Sequence, residues 1–185
     1  MSIVENAKEQ LLSSGTWSVD PAHSTVEFHV KHMMIQTVRG RFRNFEGAIV
    51  AGDEPSVVGS IKVASLETLH DERDAHLRSP DFFDVERFPE ISFRAGEMQF
   101  NGDGSHFALP GELTIKGVTR PITLDGELRG SIADKERGER LALSLRGRLD
   151  RSDYGLVWNR MLETGGVLVG DTVDLLIDVA AVRDE

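Results

Sequence analysis

From Val26 to Val179 apolar side chains recur at every second position. The runs are Val26, Phe28 and Val30; Ile91, Phe93 and Ala95; Leu113 and Ile115; Ile122, Leu124 and Leu128; Leu141, Leu143, Leu145 and Leu149; and Val173, Leu175, Ile177 and Val179. A period of two places each set on one face of a strand, so each run predicts a strand with one buried side. Turn-forming stretches separate the runs: AGDEPS at 51–56, NGDG at 101–104, KGVTRP at 116–121 and ADKERGER at 133–140. Short connections of this kind join antiparallel neighbours. The chain is therefore predicted to be all-β. Roughly eight runs suit a closed up-and-down barrel, although a two-sheet sandwich gives the same alternation.

Three departures from the period are informative. In VRGRFRNFEGAIV (38–50), Phe42 and Phe45 have opposite parity, so a bulge near Asn44 is needed to turn both inward, and Gly40 and Gly47 fit a bent strand. At the N-terminus, Ser2 and Glu5 have capping-box spacing and Ile3, Val4, Ala7, Leu11 and Leu12 form one stripe, which predicts an amphipathic helix over 2–13. Residues 1–15 thus read as a helical segment ahead of one barrel spanning 16–185. The helix either caps the barrel, joins two protomers in a homodimer or touches a membrane. In HDERDAHLRSPDFFD (70–84), Thr68 and Asp71 have helix-start spacing and Pro80 closes the turn, predicting a short helix near 70–79. Its face of Leu69, Arg73, His76, Leu77 and Pro80 would press on the barrel, with Asp71, Asp74 and Arg78 turned away and Glu72–His76 and Asp74–Arg78 pairing along the surface.

Composition narrows the functional classes. The 185 residues suit one domain, and the absence of cysteine removes disulfides and thiol nucleophiles. A formal net charge of −10 disfavours nucleic acid as a partner. The N-terminal stretch has no basic region followed by an apolar run, so a cytoplasmic protein is expected.

The charged stretch at 70–84 is the obvious place to look for chemistry. His70 and His76 are six positions apart and diverge on a helix, so no metal site is expected there and no other cofactor is implied. Ion pairing is the simpler role for its carboxylates and arginines. His29 is expected to face solvent, and His23 to bond backbone at a strand entrance. His32 adjoins Met33, Met34 and Ile35, which either fill core or line an adaptable apolar mouth. Arg39, Arg41 and Arg43 share one strand face, either solvated or forming a cationic patch for an anionic head group or membrane surface. No serine has a hydrolase nucleophile context, and no glycine-rich phosphate loop is present.

Several segments together resemble one family: WSVDPAHSTVEFHVKH (17–32), VRGRFRNFEGAI (38–49), RDAHLRSPDFFDVERFPEISF (73–93), LPGELTIKGVTRPITL (109–124), RLDRSDYGLVWN (148–159) and VGDTVDLLIDVAAV (169–182). Their order is that of the YceI-like, polyisoprenoid-binding family. The resemblance implies an eight-stranded, lipocalin-like antiparallel barrel whose apolar tunnel holds an isoprenoid or other long-chain lipid. On inward parity, Phe28, Phe42, Phe93, Leu113, Leu145 and Trp158 are the expected tunnel residues. His32, Arg39, Arg73, Asp74 and His76 are candidates for a head group, with Phe82 and Phe83 bordering the interior as part of a lid. Two other readings stay open: an enzyme acting on bound lipid through the carboxylates and histidines of 71–76, and a protein-interaction barrel whose interior is filled by side chains.

Overall fold

A computed structural model describes residues 12–185. The strands are β1 (Gly15–Val19), β2 (Thr25–His32), β3 (Gln36–Phe42), β4 (Phe45–Ala51), β5 (Ser56–Lys62), β6 (Leu66–Glu67), β7 (Glu90–Ala95), β8 (Gln99–Phe100), β9 (His106–Ile115), β10 (Val118–Asp134), β11 (Gly138–Asp150) and β12 (Val169–Arg183). One helix, α1 (Asp71–Arg78), lies between β6 and β7. Every strand pairing is antiparallel, and from β4 to β12 each long strand lies beside the next long strand in sequence.

Closure makes eight staves out of these strands. β1 and β2 are one stave kinked at Pro21–His23, since both pair with β12, through Trp17↔Arg183 and Val26↔Ile177. β3 and β4 are likewise one stave, broken at Arg43 and Asn44, with β3 beside β2 and β4 between β1 and β5. The sandwich alternative is thereby excluded. The break does what the parity of Phe42 and Phe45 requires, for both rings border the interior. Its loose backbone groups are satisfied by the turn at Val63–Ser65: Asn44 N–H donates to Ser65 Oγ at 3.0 Å and Asn44 C=O accepts from Lys62 N–H at 2.9 Å.

Glycines account for the gaps in the inward pattern. Gly126 interrupts Leu124 and Leu128 and is paired with Phe107, whose Cζ would lie 2.1 Å from any Cβ placed there. Gly40 stands in the same relation to Phe28. Its role is to admit that ring, not to bend the strand.

Two packed clusters divide the interior. Trp17, Ile49, Phe107, Leu109, Leu128, Leu141, Leu143 and Ala181 close one end. Phe28, Phe42, Leu66, Phe82, Leu113, Tyr154 and Leu156 belong to the other, beneath α1. The helix expected over 2–13 lies outside the described residues except for Leu12 and Ser13, neither of which is helical. Leu12 packs against the first cluster and Ser13 Oγ donates to Glu139 at 2.7 Å.

Candidate functional site

The inward side chains of β12 change character along the strand. Val173, Leu175 and Ile177 are only half-buried, whereas Val179 and Ala181 are buried. The first three point inward but face space, a cavity of about 670 Å³, within the range of small-molecule sites. A barrel filled by its own side chains is therefore ruled out. Phe28, Phe42, Phe93, Leu113, Leu145 and Trp158 all line this cavity, on a wall that is almost wholly apolar. Met98, Leu109 and Leu143 border it at the packed end.

Polar side chains border the other end, where α1 and the residues after it lie across the staves. Lys31, His32, His70, Glu72, Arg73 and His76 reach the cavity there. Phe82 and Phe83 line it too, and aromatic contacts knit this region together. His76 meets Phe82 and Trp158 edge-on, at 5.1 and 4.6 Å between ring centroids, and Phe83 meets Phe42 at 6.2 Å. His76 Nε2 lies 2.8 Å from Asp81 Oδ2.

The local chemistry of α1 differs from the expectation. Its N-cap is His70, whose Nδ1 accepts from Arg73 N–H at 3.2 Å. Thr68, expected to cap, is instead bound to Asp74: its backbone N–H donates to Asp74 Oδ1 at 2.9 Å and its hydroxyl donates to the same oxygen. Asp74 therefore points inward, is 6% exposed and does not reach the cavity. Arg73 completes the cluster through Nε to Thr68 Oγ1 at 2.8 Å and Nη2 to Thr68 C=O at 2.9 Å. Arg78 also faces inward, donating to the carbonyls of Ala64 and Leu66. Leu69, placed on the packed face by helical spacing, is 85% exposed. The prediction failed because residues 68–70 are not helical, with Leu69 at φ 62°, so periodicity could not be extended back through them. The closing turn is as expected, with Ser79 extended before Pro80. Neither Glu72–His76 nor Asp74–Arg78 forms, because His76 and Asp74 have these other partners.

The remaining candidates scatter. Arg39 lies outside the cavity, in a shallow depression with Gln36, Thr37, Thr68 and Arg73, while Arg41 and Arg43 both engage Glu67. His29 is half-buried, not solvent-facing, with Nε2 3.9 Å from Glu27. His23 bonds the Asp20 carboxylate at 2.8 Å instead of backbone. Among the described residues, no group of three or more histidine and acidic side chains is placed to hold a metal ion. No described helix is long and apolar enough to cross a membrane.

One organising residue escaped the sequence reading. Arg151 is buried at the edge of the cavity and donates to four backbone carbonyls: Gly170 at 2.8 Å, Leu156 at 2.7 Å, Trp158 at 2.9 Å and Val169 at 3.2 Å. Burial lowers its pKa from the usual arginine value. Asn159 adds a two-way bond to Val169, accepting at 3.0 Å and donating at 2.7 Å. Together they fix the irregular segment 155–168 that carries Trp158. An arginine beside Asp150 and Asp153 reads as a surface ion pair, so nothing in the local pattern signalled its burial.

Comparison with known proteins bears on this architecture. A family model described as the YceI-like domain matches residues 17–181. The chain belongs to the YceI family. A UPF0312 protein of Photorhabdus laumondii is 31% identical over 188 residues, spanning 100% of this chain and 94% of that one. A UPF0312 protein of Staphylococcus aureus is 36% identical over 163 residues, covering 85% and 91%. Among solved structures, the Campylobacter jejuni YCEI protein superposes with a TM-score of 0.68 at 30% identity, over 84% of this chain and 90% of that one. BcnA of Burkholderia cenocepacia gives 0.75 at 22% identity, over 88% and 98%. A polyisoprenoid binding domain from Saccharophagus degradans, implicated in plant cell wall breakdown, gives 0.68 at 15% identity, over 91% and 98%. The last two share the YceI barrel fold with this chain.

Proposed function

We propose that this YceI protein binds one long-chain apolar lipid of the isoprenoid class in its barrel cavity, as a carrier or store that does no chemistry on it. The observation that carries the reading is the cavity of about 670 Å³, mostly apolar, with Lys31, His32, His70, Arg73 and His76 gathered at the end beneath α1. The solved polyisoprenoid binding domain of the same fold supports the ligand class. In this reading Phe28, Phe42, Phe93, Leu113, Leu145 and Trp158 contact the chain. His32, Arg73 and His76 meet the head group, with Phe82 and Phe83 forming the inner surface of the lid.

A magnitude constrains how such a protein works. A chain of about twenty carbons gains about 16 kcal/mol on leaving water, at about 0.8 kcal/mol per methylene. That is close to the observed ceiling of about 18 to 21 kcal/mol for any non-covalent complex. A bilayer offers the same gain, so exchange with a membrane is nearly balanced and selectivity falls to cavity shape and the polar rim. Transient membrane contact follows from that balance.

Organic extraction of the purified protein, followed by mass spectrometry, tests the proposal. A long-chain isoprenoid or quinone-like lipid is expected at near one per chain, with uptake of added polyprenol by delipidated protein. Protein that is empty as purified and refuses added polyprenol would overturn it.

A further inference from the structure

The β2–β3 hairpin ends in Met33, Met34 and Ile35, which are 46, 59 and 81% exposed. Met33 and Met34 both have positive φ, 51° and 69°. This conformation favours glycine or asparagine, and a side chain such as methionine held in it is strained. Folding alone would select a different tip. Polar turn residues would relieve the backbone and remove apolar surface from water, so the Met-Met-Ile sequence is costly twice over.

The hairpin does not stand alone. Met33 N–H donates to Leu168 C=O at 2.8 Å, and Leu168 N–H donates to Arg160 C=O at 2.9 Å, placing the Met161–Val167 bridge directly beside it. Met161 there is 75% exposed. This apolar edge adjoins the polar end of the cavity, which Lys31, His32 and Leu168 also line. Charge distinguishes the same edge from the rest of the molecule. In a chain of net charge −10, no acidic residue occurs between Glu27 and Glu46, while Lys31, Arg39, Arg41 and Arg43 do. Lys31 and Arg39, nearest the tip, are exposed, as is Arg160 on the neighbouring segment. The exposed carboxylates around the mouth are Glu163 on that segment, Glu72 on α1 and Asp171, which pairs with Arg151.

We infer that Met33, Met34, Ile35 and Met161 are a membrane-insertion edge, seating the cavity mouth on an anionic lipid surface with Lys31, Arg39 and Arg160 at head-group level. Shallow burial of methionine and isoleucine with flanking cations is the chemistry of interfacial attachment. A protein partner would be expected to bring its own acidic groups to the cations. A bilayer supplies both the apolar layer and the phosphates, at the opening through which a lipid would pass. The inference rests on the lipid-binding reading above.

Co-sedimentation with vesicles of phosphatidylcholine, with and without phosphatidylglycerol, tests it. Wild-type protein is expected to bind the anionic vesicles more tightly and to release them as salt rises. Ile35→Asp combined with Met161→Asp is expected to weaken partitioning at least about tenfold, with extracted lipid content and thermal melting unchanged. Ile35→Trp is expected to bind, and its fluorescence to be quenched by brominated lipid. Lipid-loaded wild-type protein that ignores both vesicles overturns the docking edge while the lipid-binding reading stands. Protein that docks through this edge but is empty as purified and refuses added polyprenol overturns the lipid-binding reading instead. Equal vesicle binding by the double variant, or a wild-type dimer that the double variant turns into monomer while vesicle binding persists, also overturns the docking edge.

Discussion

Phe28 covers Gly40 across the β2–β3 pair so closely that a Cβ at residue 40 would lie 2.1 Å from Phe28 Cζ. The missing side chain is what lets the ring lie against the wall instead of across the cavity. Gly40→Ala is expected to drive the ring inward, lowering stability by about 1–3 kcal/mol and reducing the lipid recovered per chain. Urea denaturation and mass spectrometry of extracts read the two effects separately.

A carboxylate ties α1 to the chain that leads into it from β6. Asp74→Ala removes the acceptor from both the backbone N–H and the hydroxyl of buried Thr68. An orphaned buried donor costs about 1–3 kcal/mol. Thr68→Val leaves the backbone bond to Asp74 in place and is expected to cost less. Faster proteolysis within residues 66–85 of the Asp74 variant, at conditions where the barrel remains folded, would locate the loss in the lid.

Arg151 holds four carbonyls with one guanidinium, and a lysine ammonium has neither the reach nor the planar fork to do the same. Arg151→Lys is therefore expected to lose at least one charge-assisted bond, about 1.5–3 kcal/mol. The fluorescence of Trp158 should shift to the red as segment 155–168 loosens. Trp17, buried at the packed end, would contribute an unchanged component.

The barrel was legible because a period-two pattern reports which face is buried whatever fills the other side of the wall. Leu145 and Leu175 alternate in the same way as Leu128 and Leu141, yet the first pair borders the cavity's apolar wall and the second packs in the closed end. Periodicity carries direction, not depth, so the hollow could be named only through family resemblance. The lid was less legible. Asp74 looks like a surface carboxylate by composition, and its burial depends on Thr68 six residues earlier, in a segment that local spacing assigned to the helix. Arg39 shared the outward parity that the alternation assigns to it, and only the hairpin's position shows that it lies beside the mouth and not within it.

Acid should weaken one exposed turn in a predictable sense. The N–H groups of His106 and Ser105 and the His106 ring all bond the Asp103 carboxylate, holding its pKa well below the ordinary 3.8. Folded protein thus binds this proton more weakly than unfolded chain. The stabilisation is fully present above about pH 4 and is lost as pH falls through the lowered folded value. Asp103→Asn should be less stable than wild type at pH 7, with the difference shrinking toward pH 2. Denaturation midpoints across that range check it, and a difference independent of pH would show that the carboxylate charge is not what holds the turn.

Two like substitutions on the inward face should have opposite consequences. Leu141 is buried in the packed end and does not border the cavity, so Leu141→Trp overfills it and is expected to cost about 1–3 kcal/mol. Leu175 is half-buried against the hollow, so the larger ring of Leu175→Trp has space to enter and buries apolar surface the empty protein leaves bare. Delipidated Leu175→Trp protein is expected to match or exceed wild type in denaturant while taking up little polyprenol. Lipid-loaded wild type gains stability from its ligand by mass action, so adding polyprenol should raise the wild-type midpoint and leave that of Leu175→Trp where it was. A variant as unstable as Leu141→Trp would mean that the barrel is closed around Leu175 in solution.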